Sequence, residues 1–412
     1  MSAGPLADVR VLDLTRLLPG GFCSLLLADF GADVVKVEDT GMGDYVRWAP
    51  PYYGSEEHQA LGTRSALYLG LNRGKRSIRL DLKADAGREA LLRLARDYDV
   101  VLESFRPGVL DKLGCGYEAL REANPRIVYC AITGYGQTGP NTQRAGHDMN
   151  YLGLNGLLGL TGQPEGRPIQ SAGQIADLGG GALMAAFGVM AALRERERSG
   201  EGQQVDVSMT DGSLAWLAMV AAQYLCDGQV PQRGRGSLNG GIACYLPYEA
   251  ADGWVTCGAL EPKFWRNFCE GVGRPDLIDK QFAAPDSDDG QAIAAVFKQR
   301  TREEWLAFND EHDAMIEPVL DLDEALDSAL VREREMVVEM EQPGLGSIRL
   351  LGLPIKLDRT PGDPTRAAPA LGEHTAEVLT EAGFSEEEVA ALIEAGAAAE
   401  TNAEAEATRF MG

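Results

Sequence analysis

Two rhythms of apolar and polar positions run through the first third of the chain. Short apolar runs of strand length and β-branched content recur as VRVLDL (9–14), ADVVKVE (32–38), RSIRLDLK (76–83), VVLESF (100–105) and RIVYCAIT (126–133). Between them stand helix-period segments, FCSLLLADF, stopped by Gly31, and AGREALLRLARDY (86–98). The opening βαβ pattern predicts a parallel sheet with right-handed crossovers, because parallel neighbours need a helical return path. Repeated, it predicts an α/β fold with a doubly wound parallel-sheet domain.

The rhythm changes near Gly179. GGGALMAAFGVMAALRERERSGEGQ (179–203) predicts a long apolar helix, and VDVSMTDGSLAWLAMVAAQYL (205–225) predicts a strand end running into a second one. Both are apolar nearly all round, which predicts burial. RGRGSLNGG (233–241) reads as a linker, and residues 242–325 as short strands followed by amphipathic helices. The expected division is a large domain over 1–215 completed by 330–412, a linker helix and Gly-rich linker over 216–240, and a small α+β domain over 241–329. Residues 343–375 read as linker, AEVLTEAGFSEEEVAALIEAG as a last helical segment, and the tail AAAETNAEAEATRFMG as frayed.

Composition narrows the function. The 412 residues carry a net charge of −24, which disfavours nucleic acid and anionic membrane surfaces as partners. No run of 18 apolar residues and no signal-peptide pattern is visible, so the sequence predicts a cytoplasmic protein outside membranes. The seven cysteines form no CxxC pair and the four histidines are dispersed, which predicts free thiols and no metal centre.

The first βα turn reads PGGF (19–22) and lacks the G-x-G-x-x-G spacing that seats a dinucleotide pyrophosphate, although Glu38 ends the second strand. LNRGKRS (71–77), with Arg47, Arg106 and Lys112, is either a local cradle for the phosphates of an acyl carrier or a solvated loop. His147, in AGHDMNY (145–151), is a hydrogen-bonded core residue or a proton-transfer group. Asp177, in IADLGGG (175–181), is a helix cap or a carboxylate that the glycines let a ligand approach. Glu261, in GALEPKFW (258–265), is a capping or surface acid, with Pro262 opening a helix, or a site acid. His58, His312 and His374 read as loop or capping residues.

DLTRLLPGGFCSLLLADFGADVVKVE (13–38), LNRGKRSIRLDLK (71–83), FRPGVLDKLG (105–114), TGYGQTGP (133–140), AGHDMNYLGLNGLL (145–158), IADLGGG (175–181), GEGQQVDVSM (200–209) and PALGEHT (369–375) carry a resemblance. Together they resemble the family III CoA-transferases, and most closely the α-methylacyl-CoA racemase branch. The resemblance implies an interlocked homodimer, each site built from the large domain of one subunit and the small domain of the other. It implies an acyl-CoA substrate, with coenzyme A entering as part of that substrate and no other cofactor. It assigns coenzyme contacts to Leu17, Arg73, Lys75, Arg76, Leu82, Arg106, Lys112, Gly134 and Tyr135. It assigns catalysis to His147 and Asp177, facing each other across the α-carbon of a 2-methylacyl-CoA, with Glu261 orienting the histidine.

In the transferases, the residue matching Asp177 is instead a nucleophile that forms acyl anhydrides. The formyl-CoA transferases have a glutamine where this chain has Leu18, and four consecutive glycines where it has Gly240-Gly241. The transferases generally lack a histidine at the position of His147, and these departures favour the racemase. Departures from the racemase pattern are the SAGQ before Ile175, Asn239 to Ala243 after the linker, and Asp39 where an arginine often grips the coenzyme phosphate.

The chemistry fits this assignment. Inversion beside a thioester needs a base on one face and an acid on the other, flanking an enolate-like intermediate. Burial raises an aspartate towards neutrality, and backbone N–H groups near Asp177 are the expected donors to the enolate oxygen. Gly146 is expected to admit the thioester, and the apolar helix after His147 to keep water away.

Overall fold

The computed structural model describes residues 4–54 and 62–401; His58 and the tail beyond residue 401 lie outside them. The chain divides into two compact units. One comprises Met1–Asn155, Gly173–Trp216 and Ala329–Gly412, the other Gly156–Ala172 and Leu217–Ser328.

The larger unit is built on a seven-stranded sheet. Its strands are β1 (Arg10–Asp13), β2 (Asp33–Glu38), β3 (Arg76–Leu80), β4 (Val100–Glu103), β5 (Val128–Thr133) and β6 (Gln204–Ser208), with one late strand added at the edge. The order 3-2-1-4-5-6 is parallel throughout, with Leu12 opposite both Val35 and Val101. The order reverses between β1 and β4, where doubly wound sheets hold ligands at the strands' carboxyl ends. Leu12, Val35, Ile78 and Val101 pack against Leu91 and Leu94 of the Asp85–Ala95 helix in one core. Helices on both faces explain why these strands read as near-continuous apolar runs.

Several elements depart from the sequence expectation. The first helix spans Leu17–Asp29, so Pro19, Gly20 and Gly21 lie within it rather than in the preceding turn. Gly31 closes it with φ +101°, the left-handed geometry expected of that glycine. In the smaller unit β7 (Tyr245–Glu249), β8 (Trp254–Gly258) and β9 (Ile316–Pro318) form one sheet. Residues 343–375 are only partly linker, because β11 (Gly346–Leu351) forms a hairpin of the larger unit with β10 (Val337–Gln342). Ile348 and Leu350 of β11 bury themselves beside Met340, Tyr68 and Leu69. The tail is not frayed from its start, because β12 (Ala398–Ala399) pairs antiparallel with β3 and Ala398 is buried.

The long apolar helix is two kinds of helix in series. Ile175–Leu183 is a π-helix and Met184–Ser199 an α-helix. Together, Ile175–Ser199 is long and apolar enough to cross a membrane by length and composition, although its uninterrupted apolar run, between Asp177 and Arg194, falls short of 18 residues. In this fold it packs on β5, β6 and the Leu17–Asp29 helix. The expectation of all-round burial is corrected. Phe187 is 75% exposed and Leu225 80%, and the helix Ala218–Asp227 has no buried residue.

The smaller unit encloses its own core. Phe297 stacks between Tyr248, with centroids 4.1 Å apart, and Phe268, at 4.9 Å, and Trp305 packs on the group. Residues 156–172 and 217–240 belong to this unit rather than to the large domain and a separate linker. The reason is local hydrogen bonding: Arg233 donates to the carbonyls of Gln163 (3.1 Å) and Gly166 (2.9 Å), and Asn239 to that of Leu160 (3.3 Å). A groove of about 1390 Å³ runs along this unit between Gly162–Pro164, the Gly234–Gly241 loop and the β7–β8 sheet; none of the predicted site residues lines it.

Candidate active site

His147 and Asp177 both lie in the larger unit, on segments that touch each other. His147 caps the helix Asp148–Leu154, its N–H donating to the Asn150 side chain at 2.9 Å. Its side chain is exposed in this chain, so the expected shielding from water is not supplied by the following helix. Gly146 makes room for two tyrosines. A Cβ there would come within 2.7 Å of the Tyr151 ring and 2.8 Å of the Tyr135 hydroxyl, which meet edge to face at 5.2 Å.

Asp177 sits in the first turn of the π-helix and is partly buried. Burial, reinforced by the charge of Asp148, lifts its carboxyl from the ordinary value near 3.8 to about 6. Among the described residues none donates a hydrogen bond to that carboxylate. The glycines after it let another helix approach. A Cβ on Gly180 would stand 2.7 Å from the Met209 carbonyl oxygen and the Ser213 nitrogen of helix Met209–Leu214, and one on Gly179 2.3 Å from Trp216. These glycines therefore serve close helix packing. Two of the N–H groups near Asp177 already have an acceptor. The N–H groups of Ala176 (2.6 Å) and Asp177 (3.0 Å) both donate to Asp148 Oδ1. Sequence reading passed over Asp148; its signal was its place directly after the candidate histidine.

Glu261, in the smaller unit, is exposed and occupies the N-cap of Pro262–Gly271, with Pro262 opening the helix as expected. Its side chain makes no capping hydrogen bond.

The basic run turns inward. Arg73 is buried and forks onto Asp29 with bonds of 3.1 and 2.7 Å. Lys75 is buried against Asp13 (3.3 Å), Asn72 Oδ1 (2.8 Å) and the Gly21 carbonyl (3.1 Å), and burial brings its pKa down to about 8. Arg47 forks onto Glu38 with bonds of 2.8 and 2.5 Å, and Lys36 meets Asp44 at 2.9 Å. Burial alone would raise the Glu38 carboxyl, yet Arg47 and Lys36 outweigh it and hold the group at about 2. Arg76 joins Asp33, Glu377 and Glu381. Neither alternative read from the sequence, phosphate cradle or solvated loop, describes Arg73, Lys75 and Arg47: these cations neutralise buried acids. Arg106 and Lys112 are exposed, and no ion pair holds them among the described residues.

Leu17 is half-buried with φ +61°, left-handed geometry unusual for leucine, and its N–H donates to the Asp44 carboxylate at 3.2 Å. Leu82 packs at the margin of the main core. Gly134 makes room for Tyr151, whose ring a Cβ would meet at 2.4 Å, and Tyr135 follows at the end of β5. The structure thus brings Tyr135, Gly134 and Tyr151 to the His147 side of the larger unit.

The doubly wound sheet thus carries, on two touching segments, an exposed histidine and a partly buried carboxyl raised to about 6. Residues 6–375 match the sequence profile of CoA-transferase family III, and the chain belongs to that family. It is 40% identical over 395 residues to a succinyl-CoA:mesaconate CoA-transferase of Haloarcula hispanica, covering 92% of this chain and 97% of that protein. It is 39% identical to an α-methylacyl-CoA racemase of Mus musculus, covering 94% and 96% of the two chains. Its fold matches a CAIB/BAIF family protein from Brucella suis with a TM-score of 0.79 at 32% identity, covering 92% of this chain and all of that one.

Proposed function

We propose that this enzyme inverts the α-carbon of 2-methylacyl-CoA thioesters by 1,1-proton transfer between His147 and Asp177. The observation that carries the reading is the Asp177 carboxyl. It is partly buried, without a hydrogen-bond donor among the described residues, and raised to about 6, where it can both accept and return a proton near pH 7. An imidazole, like a carboxyl, can both take and give a proton, so the two groups can exchange roles for the two enantiomers. One takes the α-hydrogen as the thioester carbonyl gathers charge; the other delivers a proton to the opposite face. Glu261 carries its role of orienting the imidazole from its motif alone. Arg106 and Lys112, exposed and unpaired among the described residues, remain the cations proposed for the coenzyme phosphates.

The second reading is CoA transfer with Asp177 as nucleophile, favoured by the 40% identity to a succinyl-CoA:mesaconate CoA-transferase. A cytoplasmic homodimer belongs to the proposal under either reading. The dimer is supported by the open apolar stripe of Leu183, Phe187 and Met190 on one helix face.

The test is α-deuterium exchange. (S)-2-methylacyl-CoA incubated with enzyme in D₂O is expected to gain deuterium as it loses optical purity, and His147→Ala to abolish both. Absence of exchange, with an acyl group on Asp177 trapped by hydroxylamine, would establish the transferase instead.

A further inference from the structure

Asp148 is 3% exposed, and its carboxylate is turned onto the start of the π-helix. Its Oδ1 receives two N–H groups, those of Ala176 and Asp177 at 2.6 and 3.0 Å. Asp148 is also joined by one peptide bond to His147 and opens the helix that His147 caps. A single side chain therefore links the two segments that carry the proposed acid–base pair.

The geometry points to Asp148 as a positioning residue for Asp177: it fixes the first turn of the π-helix relative to His147 and sets the charge environment in which Asp177 exchanges its proton. This inference rests on the acid–base reading given above. Holding both N–H groups on one oxygen satisfies two donors that the start of a helix leaves open, so that turn has no need of the Asp177 side chain as its own cap. Asp177 is thus left without a hydrogen-bond donor among the described residues. A negative charge so near disfavours a second one, so Asp148 adds to burial in keeping the Asp177 carboxyl protonated to higher pH. The 148–154 helix also presents Tyr151, whose hydroxyl is engaged with the Gly146 carbonyl at 2.5 Å, and beyond it stands Tyr135. Strand β6 carries Asp206, which accepts from the Gln137 N–H, and the helix Met209–Leu214 carries Asp211, which is exposed. Strand β5 contributes Cys130 and the Leu17–Asp29 helix Cys23, both buried thiols that burial holds in the neutral form. Asp148 is the one charged group among these that raises Asp177.

Two variants separate geometry from charge. Asp148→Asn keeps an acceptor oxygen for both N–H groups and removes the charge. The acidic limb of its kcat/KM profile for α-hydrogen exchange is expected to move to lower pH, with KM unchanged. Asp148→Ala removes both, and kcat is expected to fall by on the order of 10²-fold, the loss that accompanies a misplacement of about 1 Å. A direct titration needs no substrate. The Asp177 carboxyl carbon, followed by ¹³C NMR in the full chain and assigned with Asp177→Asn, is expected to titrate lower in Asp148→Asn than in the wild type. Superimposable titrations would overturn the inference, as would an Asp148→Ala enzyme that loses thermal stability but keeps its kcat. Absence of exchange by the wild-type enzyme, with the NMR shift present, would sink the racemase reading and leave the role of Asp148 standing.

Discussion

Two groups of ionised side chains in the larger unit make opposite use of burial. Around the ends of β1 and β2, Asp13, Lys36, Glu38, Asp44, Arg47 and Lys75 are almost wholly enclosed, and each finds an opposite charge or several hydrogen bonds. At the start of the π-helix, Asp177 is only partly buried, lacks a donor among the described residues, and has a second carboxylate as its charged neighbour. The first group pulls Glu38 down to about 2 and so locks it in one charge state. The second brings a carboxyl up to about 6, within reach of either state. Burial with a partner makes scaffold, whereas burial without one makes a group that can trade protons.

The comparison breaks most severely at Arg47. Arg47→Met leaves Glu38 enclosed without its guanidinium, and removing one partner of a buried pair destabilises by about 3–5 kcal/mol. Urea denaturation of the variant against the wild type measures it; a change below about 1 kcal/mol would show that the pair is not scaffold. Gly180→Ala comes next. Its methyl group meets backbone atoms at 2.7 Å on the facing helix, and overpacking of this kind destabilises by about 1–3 kcal/mol. Thermal unfolding reads that loss, and an unaltered melting temperature would show that the π-helix is free to shift.

The smallest effect sharpens the contrast instead. Asp177 has a folded value of about 6 against an ordinary one near 3.8, so the folded state binds its proton more tightly than the unfolded state. Its favourable contribution is therefore complete below about pH 4 and lost as pH rises through about 6. Asp177→Asn, neutral throughout, should gain stability relative to the wild type across that window and keep a constant advantage above it. Denaturation curves at pH 4, 5, 6 and 7 test this, and a difference independent of pH would remove the claim that Asp177 is held near neutrality.

Most of the parallel sheet was legible because β1, β2, β4 and β5 are compact, largely apolar runs buried on both faces, whereas β6, with Gln204 and Asp206 exposed, read only as a strand end. The hairpin 337–351 was not, since Glu339, Glu341 and Arg349 alternate with Met340, Ile348 and Leu350, and the turn residues Pro343 and Gly344 made the half from residue 343 read as linker. Strand β12 is two alanines whose identity as a strand exists only through β3, some three hundred residues earlier. The site was legible as residue types but not as surroundings. His147, Asp177 and Glu261 stand out by motif, while the destination of Arg73 and Lys75 depends on Asp29 and Asp13, which no local spacing reveals. The π-helix was equally hidden, because its glycines are explained by Met209 and Ser213 on the facing helix rather than by their sequence neighbours.

That late strand also carries a consequence in time. Ala398 pairs with Leu80, so 318 residues separate the two halves of one edge of the main sheet. At about 5–20 residues per second of synthesis, β3 emerges on the order of 15–65 s before its antiparallel neighbour exists. For that interval the nascent chain presents an unpaired strand edge, the kind of surface on which foreign strands add. The final residues of the fold thus serve as its closing stitch, and chaperone dependence during translation should be sought there first.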